Sequence, residues 1–262
     1  MKIKSEIFRE YDIRGVYGED LNAEVAYLIG KAFGTKLREL GIPSTVVGYD
    51  NRLSSVELEE NLVKGIVETG INVKRLGLVT TPMCYFAANH LKTDCSMMIT
   101  ASHNPKEYNG FKFSYNGIHN AYGKSVKEIY EIIEKGNFVN GNGIYESIDI
   151  RQAYIDLVIN NLNFGERKIK VVYDCGNGTS SIIAKEIFDK LPMIESIGIC
   201  DTSDGNFPLH HPDPCVESNL EMLKTKVKEV GADLGVGYDG DCDRVGFIDE
   251  NGTFIEIDKF LV

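Results

Sequence analysis

Short runs of β-branched and apolar residues alternate along this chain with amphipathic stretches of helical period. This alternation predicts α/β domains with mixed or parallel sheets, because each helix can cover the sheet formed by its neighbouring strands. The predicted strands are 44–50, 73–79, 95–99, 111–114, 169–174, 194–200, 233–238, 245–248 and 253–257. The predicted helices are 54–69, 123–135, 151–162, 179–190 and 217–230. Polar loops follow several of these strands, where open α/β sheets bind ligands.

Local signals predict where one helix begins and where the chain divides. Ser54-Ser55-Val56-Glu57 has the form of a capping box that opens a helix, and Gly70 is placed to close that helix. The segment 137–143 is rich in Asn and Gly, which is typical of a linker. We therefore predict two consecutive α/β domains, 1–143 and 144–262, with mixed sheets.

Composition excludes several classes of protein. With 262 residues, 43% of them hydrophobic, the chain is long enough for two domains with cores of their own. A net charge of −11 argues against nucleic-acid binding, because no basic cluster is present to replace counterions. The first residues lack the apolar segment of a signal peptide, and no apolar run approaches membrane-spanning length. We expect a cytoplasmic protein without nucleic-acid or membrane partners; the sequence predicts no oligomeric state.

The six cysteines are scattered and form no Cys-x-x-Cys pair. The five histidines also lack the spacing of a zinc motif. This pattern favours reduced thiols over disulfides or zinc ligands, as is usual in the cytoplasm.

The run Thr100-Ala101-Ser102-His103-Asn104-Pro105 follows a predicted buried strand. A strand that ends in such a loop can present an exposed serine for covalent chemistry, although the hydroxyl needs a base or a metal to act as a nucleophile. Asn104 can bond to backbone groups, and Pro105 fixes the exit of the loop. The alternative is an ordinary Ser-His turn followed by an Asn-Pro turn.

A second loop, Asp239-Gly240-Asp241-Cys242-Asp243-Arg244, follows the strand 233–238. Asp239, Asp241 and Asp243 alternate, so their carboxylates can converge and would repel one another without a cation. Such oxygen ligands suit Mg²⁺, whereas an EF-hand would require a longer loop and a terminal Glu. Arg244 could hold a phosphate or balance the acids. A solvated acidic turn is the alternative.

Two further residues, Arg14 and Lys112, carry suitable chemistry. Tyr11-Asp12-Ile13-Arg14-Gly15 places Arg14 before a glycine, which suits a turn that faces an anion. Lys112 lies between Phe111 and Phe113, so on a strand its side chain points to one face and the two rings to the other. A partly desolvated lysine can take part in proton transfer, although an exposed strand lysine remains an alternative.

Two other polar segments have a less definite meaning. Phe207-Pro208-Leu209-His210-His211-Pro212-Asp213-Pro214 is rigid, and its adjacent histidines point in different directions, so a metal shared by the two is not expected. This segment could equally serve as scaffolding, as an inter-domain contact or in substrate binding. Asp174-Cys175-Gly176-Asn177-Gly178 could cradle an anion, but it lacks a dinucleotide or P-loop pattern, and we interpret it as structural.

Taken together, these motifs resemble the α-D-phosphohexomutase superfamily, in its phosphomannomutase/phosphoglucomutase branch. The resemblance is carried by Thr-Ala-Ser-His-Asn-Pro, Asn-Gly-Phe-Lys, His-His-Pro-Asp-Pro and Asp-Gly-Asp-x-Asp-Arg, in this order. It implies the first two domains of a four-domain enzyme. The phosphoglucosamine mutase branch usually begins the serine motif with Ser, where this chain has Thr100.

The resemblance also implies roles for individual residues. Ser102 would carry the phosphate, and that phosphate with Asp239, Asp241 and Asp243 would bind Mg²⁺. Lys112 and Arg14 would assist proton transfer and stabilise charge, and His103 would shape the serine loop. The implied phosphate-binding residues are Tyr11, Asn104 and Arg244. A hexose 1-phosphate or 6-phosphate, from mannose or glucose, would be the substrate, with a hexose 1,6-bisphosphate as intermediate and activator.

The resemblance leaves two alternatives to a mutase. The chain ends on apolar residues in an apparent helix, at 258–262, which is typical of truncation before the third and fourth domains. It could therefore be a non-catalytic half that binds Mg²⁺ and phosphate without turnover. A sugar-phosphate phosphatase that does not use a phosphoserine is the other alternative.

Overall fold

The computed structural model describes residues 3–116, 119–163, 165–256 and 259. The chain divides into two compact units, Met1–Ile150 and Arg151–Val262. Each unit is an α/β domain with a mixed sheet, which confirms the fold class predicted from the alternation of strands and helices.

The first unit is built on a seven-stranded sheet with the order β1-β5-β4-β2-β3-β7, and β6 pairs with β5 at one side. Its strands are β1 (Ile13–Val16), β2 (Ser44–Tyr49), β3 (Asn72–Leu78), β4 (Ser96–Ile99), β5 (Tyr108–Asn116), β6 (His119–Asn120) and β7 (Tyr145–Ser147). Strand β2 is parallel to both β3 and β4, whereas β5 is antiparallel to β4 and β1. The carboxyl ends of β2 and β4 therefore lie at the same edge of the sheet.

The helices of the first unit begin where the local chemistry favours a start. They are α1 (Ala23–Glu39), α2 (Ser55–Val67), α3 (Thr81–His90) and α4 (Lys124–Lys135), and Ser5–Ile7 forms a 3₁₀ turn. Asn22 caps α1 by accepting a hydrogen bond from the Val25 amide, and Thr80 caps α3 in the same way. Gly136, in the left-handed conformation, ends α4.

The capping box predicted at Ser54 does not form. Ser54 has helical backbone angles, and its side chain makes no cap hydrogen bond. Its hydroxyl accepts a hydrogen bond of 2.8 Å from Asn109 Nδ2 on β5 instead. A tertiary contact has thus replaced the local one, while the helix still begins at the next residue.

Helices α1 and α2 approach each other closely through glycines. A Cβ at Gly30 would lie 2.2 Å from the Leu62 carbonyl oxygen, and a Cβ at Gly65 would lie 2.3 Å from the Tyr27 carbonyl oxygen. No side chain fits at either position unless the backbones separate. The core of this unit depends on that approach, because both helices bury apolar faces against the sheet.

The predicted boundary between residues 143 and 144 lies earlier than the division in the structure, which follows Ile150. Strand β7 belongs to the first unit, because Val73 pairs with Tyr145 on the edge of the sheet. Gly141 also forms a bridge with Thr69. The Asn- and Gly-rich segment is thus tied to the first sheet and does not separate the units.

The second unit has a five-stranded sheet with the order β12-β11-β10-β8-β9. Its strands are β8 (Ile169–Asp174), β9 (Ile194–Ile199), β10 (Leu234–Tyr238), β11 (Val245–Asp249) and β12 (Phe254–Ile255). Strands β10, β8 and β9 are parallel, and β11 and β12 add antiparallel hairpins. The carboxyl ends of the three parallel strands therefore share one edge.

The helices of the second unit are α5 (Arg151–Asn160), α6 (Ala184–Asp189) and α7 (Glu221–Val230). The predicted helices 179–190 and 217–230 both begin as 3₁₀ turns, at Thr179–Ile182 and Glu217–Leu220. The helical end predicted at 258–262 lies outside the described residues except for Lys259. Within the described part of the chain, no helix combines the length and apolar character needed to cross a membrane.

The contact between α1 and α2 generates a prediction. Gly30→Ala should destabilise the protein by about 1–3 kcal/mol, because the added methyl group meets backbone atoms that have no room to move. This loss would occur although alanine favours helices more than glycine does. Urea unfolding of the variant beside wild type measures the effect.

Gly165→Ala is the matched control, because a Cβ at Gly165 would have no neighbour within 4 Å. Equal stability of Gly30→Ala and Gly165→Ala would contradict the proposed close approach.

Candidate active site

The serine loop follows β4 at the edge where β2 also ends. The Ser102 amide donates to Thr100 Oγ1 over 2.8 Å, and the Asn104 amide donates to the Ala101 carbonyl over 3.0 Å. Ser102 has a φ of +53°, in the left-handed region that few non-glycine residues adopt. The loop is therefore a tight turn in which the conformation of the serine is fixed by its neighbours.

The expectation of an exposed serine is wrong for this structure, because Ser102 is fully buried. The turn closes around the hydroxyl, and His103 Nδ1 lies 3.4 Å from Ser102 Oγ. The structure thus keeps the partly buried imidazole of His103 next to the serine hydroxyl, as the motif predicted.

Arg52 is the residue that holds this loop in place, and sequence reasoning missed it. Its guanidinium is fully buried and donates to four carbonyl oxygens, those of Ser102, Asn104, Pro105 and Tyr108, over 2.7–3.0 Å. Asp50 accepts from Arg52 Nε over 3.1 Å and balances the charge. The segment Asp50-Asn51-Arg52 could have indicated this role, because it directly follows β2. Strand β2 is the parallel neighbour of β4, which the serine loop follows.

Arg14 connects β1 to the serine loop. Its Nη1 donates to Asn104 Oδ1 over 2.8 Å, and its Nη2 is paired with Asp12. Arg14 is 7% exposed, and its Nε is buried with no hydrogen-bond partner among the residues that the structure describes. The structure therefore brings together Arg14 and Asn104 and leaves a cationic N–H donor beside the loop.

Lys112 and Tyr11 differ in their exposure to solvent. Lys112 pairs with Met98 on the neighbouring strand β4, and it is partly exposed while Phe111 and Phe113 are buried. The predicted alternation of faces on β5 is thus confirmed. Tyr11 is 72% exposed.

The Asp loop follows β10 in the second unit and is organised by Asp239. Asp239 Oδ1 accepts hydrogen bonds from the Asp243 and Arg244 amides over 2.9 Å and 3.0 Å. Ligand oxygens of Asp239, Asp241 and Asp243 all lie within 4.8 Å of one another. The predicted convergence of the three carboxylates is therefore what the structure has.

The donor set of this loop fits Mg²⁺. Asp239 and Asp241 are fully buried, and Asp243 is exposed, so two carboxylates are desolvated and the third faces outward. Desolvation, followed by the nearby carboxylates, raises the pKa of the Cys242 thiol well above its usual value. Such an accumulation of negative charge favours a hard divalent cation bound through oxygen atoms.

The turn 175–178 supports the Asp loop from the neighbouring strand β8. Thr179 donates to the Gly240 carbonyl through its amide, over 2.9 Å, and through its hydroxyl, over 3.0 Å. A Cβ at Gly178 would lie 2.8 Å from the same oxygen, so this close approach requires glycine. These contacts agree with the structural interpretation of the Asp174–Gly178 motif, and Thr179 is a supporting residue that the motif search did not include.

Arg244 is exposed at the end of the Asp loop. Together with Asp243 it lines a cavity of about 600 Å³ in the second unit, which also includes Pro214 and Phe254. The cavity wall therefore offers one basic group, Arg244, and two acidic groups, Asp243 and Glu256, beside apolar surface.

Comparison with known sequences gives two family matches. Residues 5–140 match the profile of phosphoglucomutase/phosphomannomutase alpha/beta/alpha domain I. Residues 152–252 match the profile of alpha/beta/alpha domain II of the same family. The two matches cover most of the chain and fall on the two structural units.

Individual relatives show the same similarity. A phosphomannomutase/phosphoglucomutase from Pseudomonas aeruginosa is 42% identical over 260 residues, which are 99% of this chain and 56% of that protein. A phosphoglucomutase from Neisseria gonorrhoeae is 39% identical over 262 residues, with 99% and 56% covered. The chain thus spans about half the length of the curated relatives it matches.

A solved structure supports the fold comparison. The crystal structure of a phosphoglucomutase/phosphomannomutase family protein from Burkholderia thailandensis superposes with a TM-score of 0.93 and 38% sequence identity. The match covers 98% of this chain and 57% of that one. The likeness therefore extends over both units.

The role of Arg52 generates a prediction. Arg52→Met should destabilise the protein by about 3–5 kcal/mol, because it leaves the buried Asp50 without its cation and four carbonyls without their donor. Urea unfolding gives the stability, and hydrogen exchange of the amides in 100–108 reports on the loop itself. The control is Arg9→Met, which removes an exposed arginine from the same unit. Identical unfolding of the two variants would show that Arg52 does not hold the loop.

Proposed function

The chain belongs to the phosphoglucomutase/phosphomannomutase family, and on that premise we propose that the protein is a phosphohexomutase. It would interconvert the 1-phosphate and 6-phosphate of mannose, glucose or both. The observation that carries the proposal is the set of three Asp carboxylates within 4.8 Å at the end of β10, in a chain that also has the serine loop.

The metal site of this proposal consists of Asp239, Asp241 and Asp243, completed by the phosphate on Ser102. Bound Mg²⁺ would offset the negative charge at the phosphoryl group and at the serine oxygen during transfer. The buried Asp239 and Asp241 would supply ligand oxygens that already lie close together. Little reorganisation of these side chains would then be needed on binding.

Phosphoryl transfer would proceed between Ser102 and a sugar hydroxyl. The sugar oxygen forms the new bond to phosphorus, the bond to Ser102 Oγ breaks with its electron pair staying on Oγ, and Lys112 takes the proton of the sugar hydroxyl. The product is a hexose 1,6-bisphosphate. After it reorients, its other phosphate returns to Ser102 and Lys112 gives the proton back.

The residues around Ser102 would bind and orient the phosphate. Arg14 combines a contact to Asn104 with a buried Nε–H, which makes it the strongest candidate for a charge-assisted bond to a phosphoryl oxygen. His103 would shape the loop, and Arg244 and Tyr11 would contact the substrate phosphate. We also propose a cytoplasmic location, where the six cysteines would stay reduced.

We also propose that the 262 residues alone bind Mg²⁺ and phosphate without turnover. The chain spans 56% of the length of its Pseudomonas relative. Mutase assays on the 262-residue chain and on the protein from its source cells show whether the two differ in turnover. A sugar-phosphate phosphatase would instead release inorganic phosphate in proportion to the substrate consumed.

Replacement of the serine tests the covalent step. In the protein from its source cells, Ser102→Ala should abolish phosphoenzyme formation and reduce mutase activity by at least about 10³-fold, since the proposed covalent step uses the Ser102 hydroxyl. The assay follows hexose 1-phosphate conversion, and labelling with a radioactive hexose 1,6-bisphosphate follows the phosphoenzyme. Ser147→Ala, at an exposed serine of the first unit, is the control. Normal mutase activity of Ser102→Ala would refute the proposal.

Replacement of a carboxylate tests the metal site on the 262-residue chain itself. Asp241→Asn should weaken Mg²⁺ binding by more than about tenfold, because it removes one buried charge from the ligand set. Isothermal titration calorimetry measures the affinity. Asp189→Asn removes an exposed carboxylate of the same unit and should leave it unchanged. Equal Mg²⁺ affinity of Asp241→Asn and wild type would place the cation elsewhere.

A further inference from the structure

A second cluster of metal-ligating side chains lies in the second unit, formed by Asp174, Cys200 and His210. Each offers one ligand atom, and the three atoms lie within 4.8 Å of one another. Asp174 is the last residue of β8, and Cys200 directly follows β9, its parallel neighbour. We propose that these three side chains form a binding site for a divalent transition-metal ion of the zinc class, with a fourth position for water.

The orientation of His210 supports this assignment. Its Nε2 lies 3.1 Å and 3.0 Å from the two carboxylate oxygens of Asp174, and its Nδ1 lies 3.0 Å from the His211 carbonyl oxygen. Both ring nitrogens face acceptors, so Nε2–H donates to Asp174 and Nδ1–H donates to the carbonyl. A metal that displaces the Nε2 proton would be bound through Nε2, while Nδ1–H stays held by the carbonyl. Metal-bound histidines usually donate their other ring N–H to a carbonyl or a carboxylate in this way.

The other two ligands are also held in place. The Gly176 amide donates to Asp174 Oδ1 over 2.8 Å, so the carboxylate is oriented by the backbone. The Cys200 Sγ lies within 4.8 Å of the ligand atoms of both His210 and Asp174. Cys200 has a φ of +47°, a left-handed conformation that is unfavourable for a non-glycine residue. Its carbonyl accepts a 2.8 Å bond from the Asn177 amide, which helps to keep that conformation.

The ligand types distinguish this cluster from the Asp loop. One sulfur, one imidazole nitrogen and one carboxylate oxygen suit Zn²⁺ or Co²⁺, whereas Mg²⁺ prefers oxygen ligands only. On binding, the thiol and any protonated imidazole release their protons to solvent, and the metal replaces the hydrogen bond between His210 and Asp174.

A bound ion would tie together three parts of the chain. These are the carboxyl ends of β8 and β9 and the loop that carries His210. Asp174 also begins the turn whose Thr179 donates to Gly240 in the Asp loop. The metal would therefore stabilise the support of the Asp loop, whether or not the proposed mutase activity is correct.

Cobalt substitution tests the proposal on the 262-residue chain. After treatment with a chelator, titration with Co²⁺ in excess Mg²⁺, which would occupy the proposed site in the Asp loop, should give one bound cobalt ion with a thiolate-to-cobalt charge-transfer band and the visible bands of tetrahedral cobalt. Cys200→Ser should lose the charge-transfer band and bind more than about 100-fold more weakly, since even the loss of an outer partner costs 10–100-fold. The controls are Cys215→Ser, at an exposed thiol, and Asp241→Asn, in the Asp loop; both should keep the band.

Absence of the band in wild type, its persistence in Cys200→Ser or its loss in Cys215→Ser would overturn the proposal. If circular dichroism shows that Cys200→Ser does not fold, X-ray absorption at the zinc edge tests the site in the wild-type chain loaded with Zn²⁺. A coordination shell of the zinc ion with one sulfur atom beside nitrogen and oxygen atoms supports the site. A coordination shell of oxygen and nitrogen atoms alone contradicts it. Because the test measures neither Mg²⁺ nor mutase activity, its failure leaves the proposed function unaffected.

Discussion

Parallel pairing of neighbouring strands decides where the chemistry of this chain lies. In the first unit, β2 and β4 are parallel, so Arg52 and the serine loop emerge at the same edge of the sheet. In the second unit, β10, β8 and β9 are parallel, so the Asp loop, the turn 175–178 and Cys200 share an edge. Without this pairing, each loop would be an isolated polar turn. With it, each loop has a neighbour that fixes its shape.

Charged groups are buried at the serine loop and in the Asp loop, and removing them from water costs free energy. Hydrogen bonds with the surrounding residues offset this cost. Arg52 is buried among carbonyl dipoles and one carboxylate, and this is favourable only because all its donors are directed at acceptors. Asp239 is buried too, but it accepts two amide hydrogen bonds from its own loop. These arrangements keep charged groups in position before any ligand arrives, which reduces the reorganisation that binding would require.

Much of this organisation could be predicted from the sequence, and the exceptions have a common cause. The predicted bounds of strand β8 are those of the structure, because charged and glycine-containing segments flank its apolar run. The convergence of the three carboxylates followed from their spacing alone. By contrast, Ser54 was predicted to cap a helix, but it bonds to Asn109, which lies 55 residues away along the chain.

The same limit applies to the residues around the sites. Arg52 and Ser102 are 50 positions apart, and His210 and Asp174 are 36 apart, so only the folded chain shows that they meet. Motif spacing can detect ligands that are close in sequence, such as Asp239 and Asp241. It cannot detect a cluster whose members come from separate segments, such as Asp174, Cys200 and His210.

The central claim is that Ser102 carries the phosphate that is exchanged with the sugar. The most direct measurement is phosphopeptide mapping by mass spectrometry of the protein isolated from its source cells, after incubation with a hexose 1,6-bisphosphate and Mg²⁺. The account predicts one phosphate per chain, on Ser102. A protein that stays unmodified under these conditions, or that carries the phosphate on another residue, would contradict it.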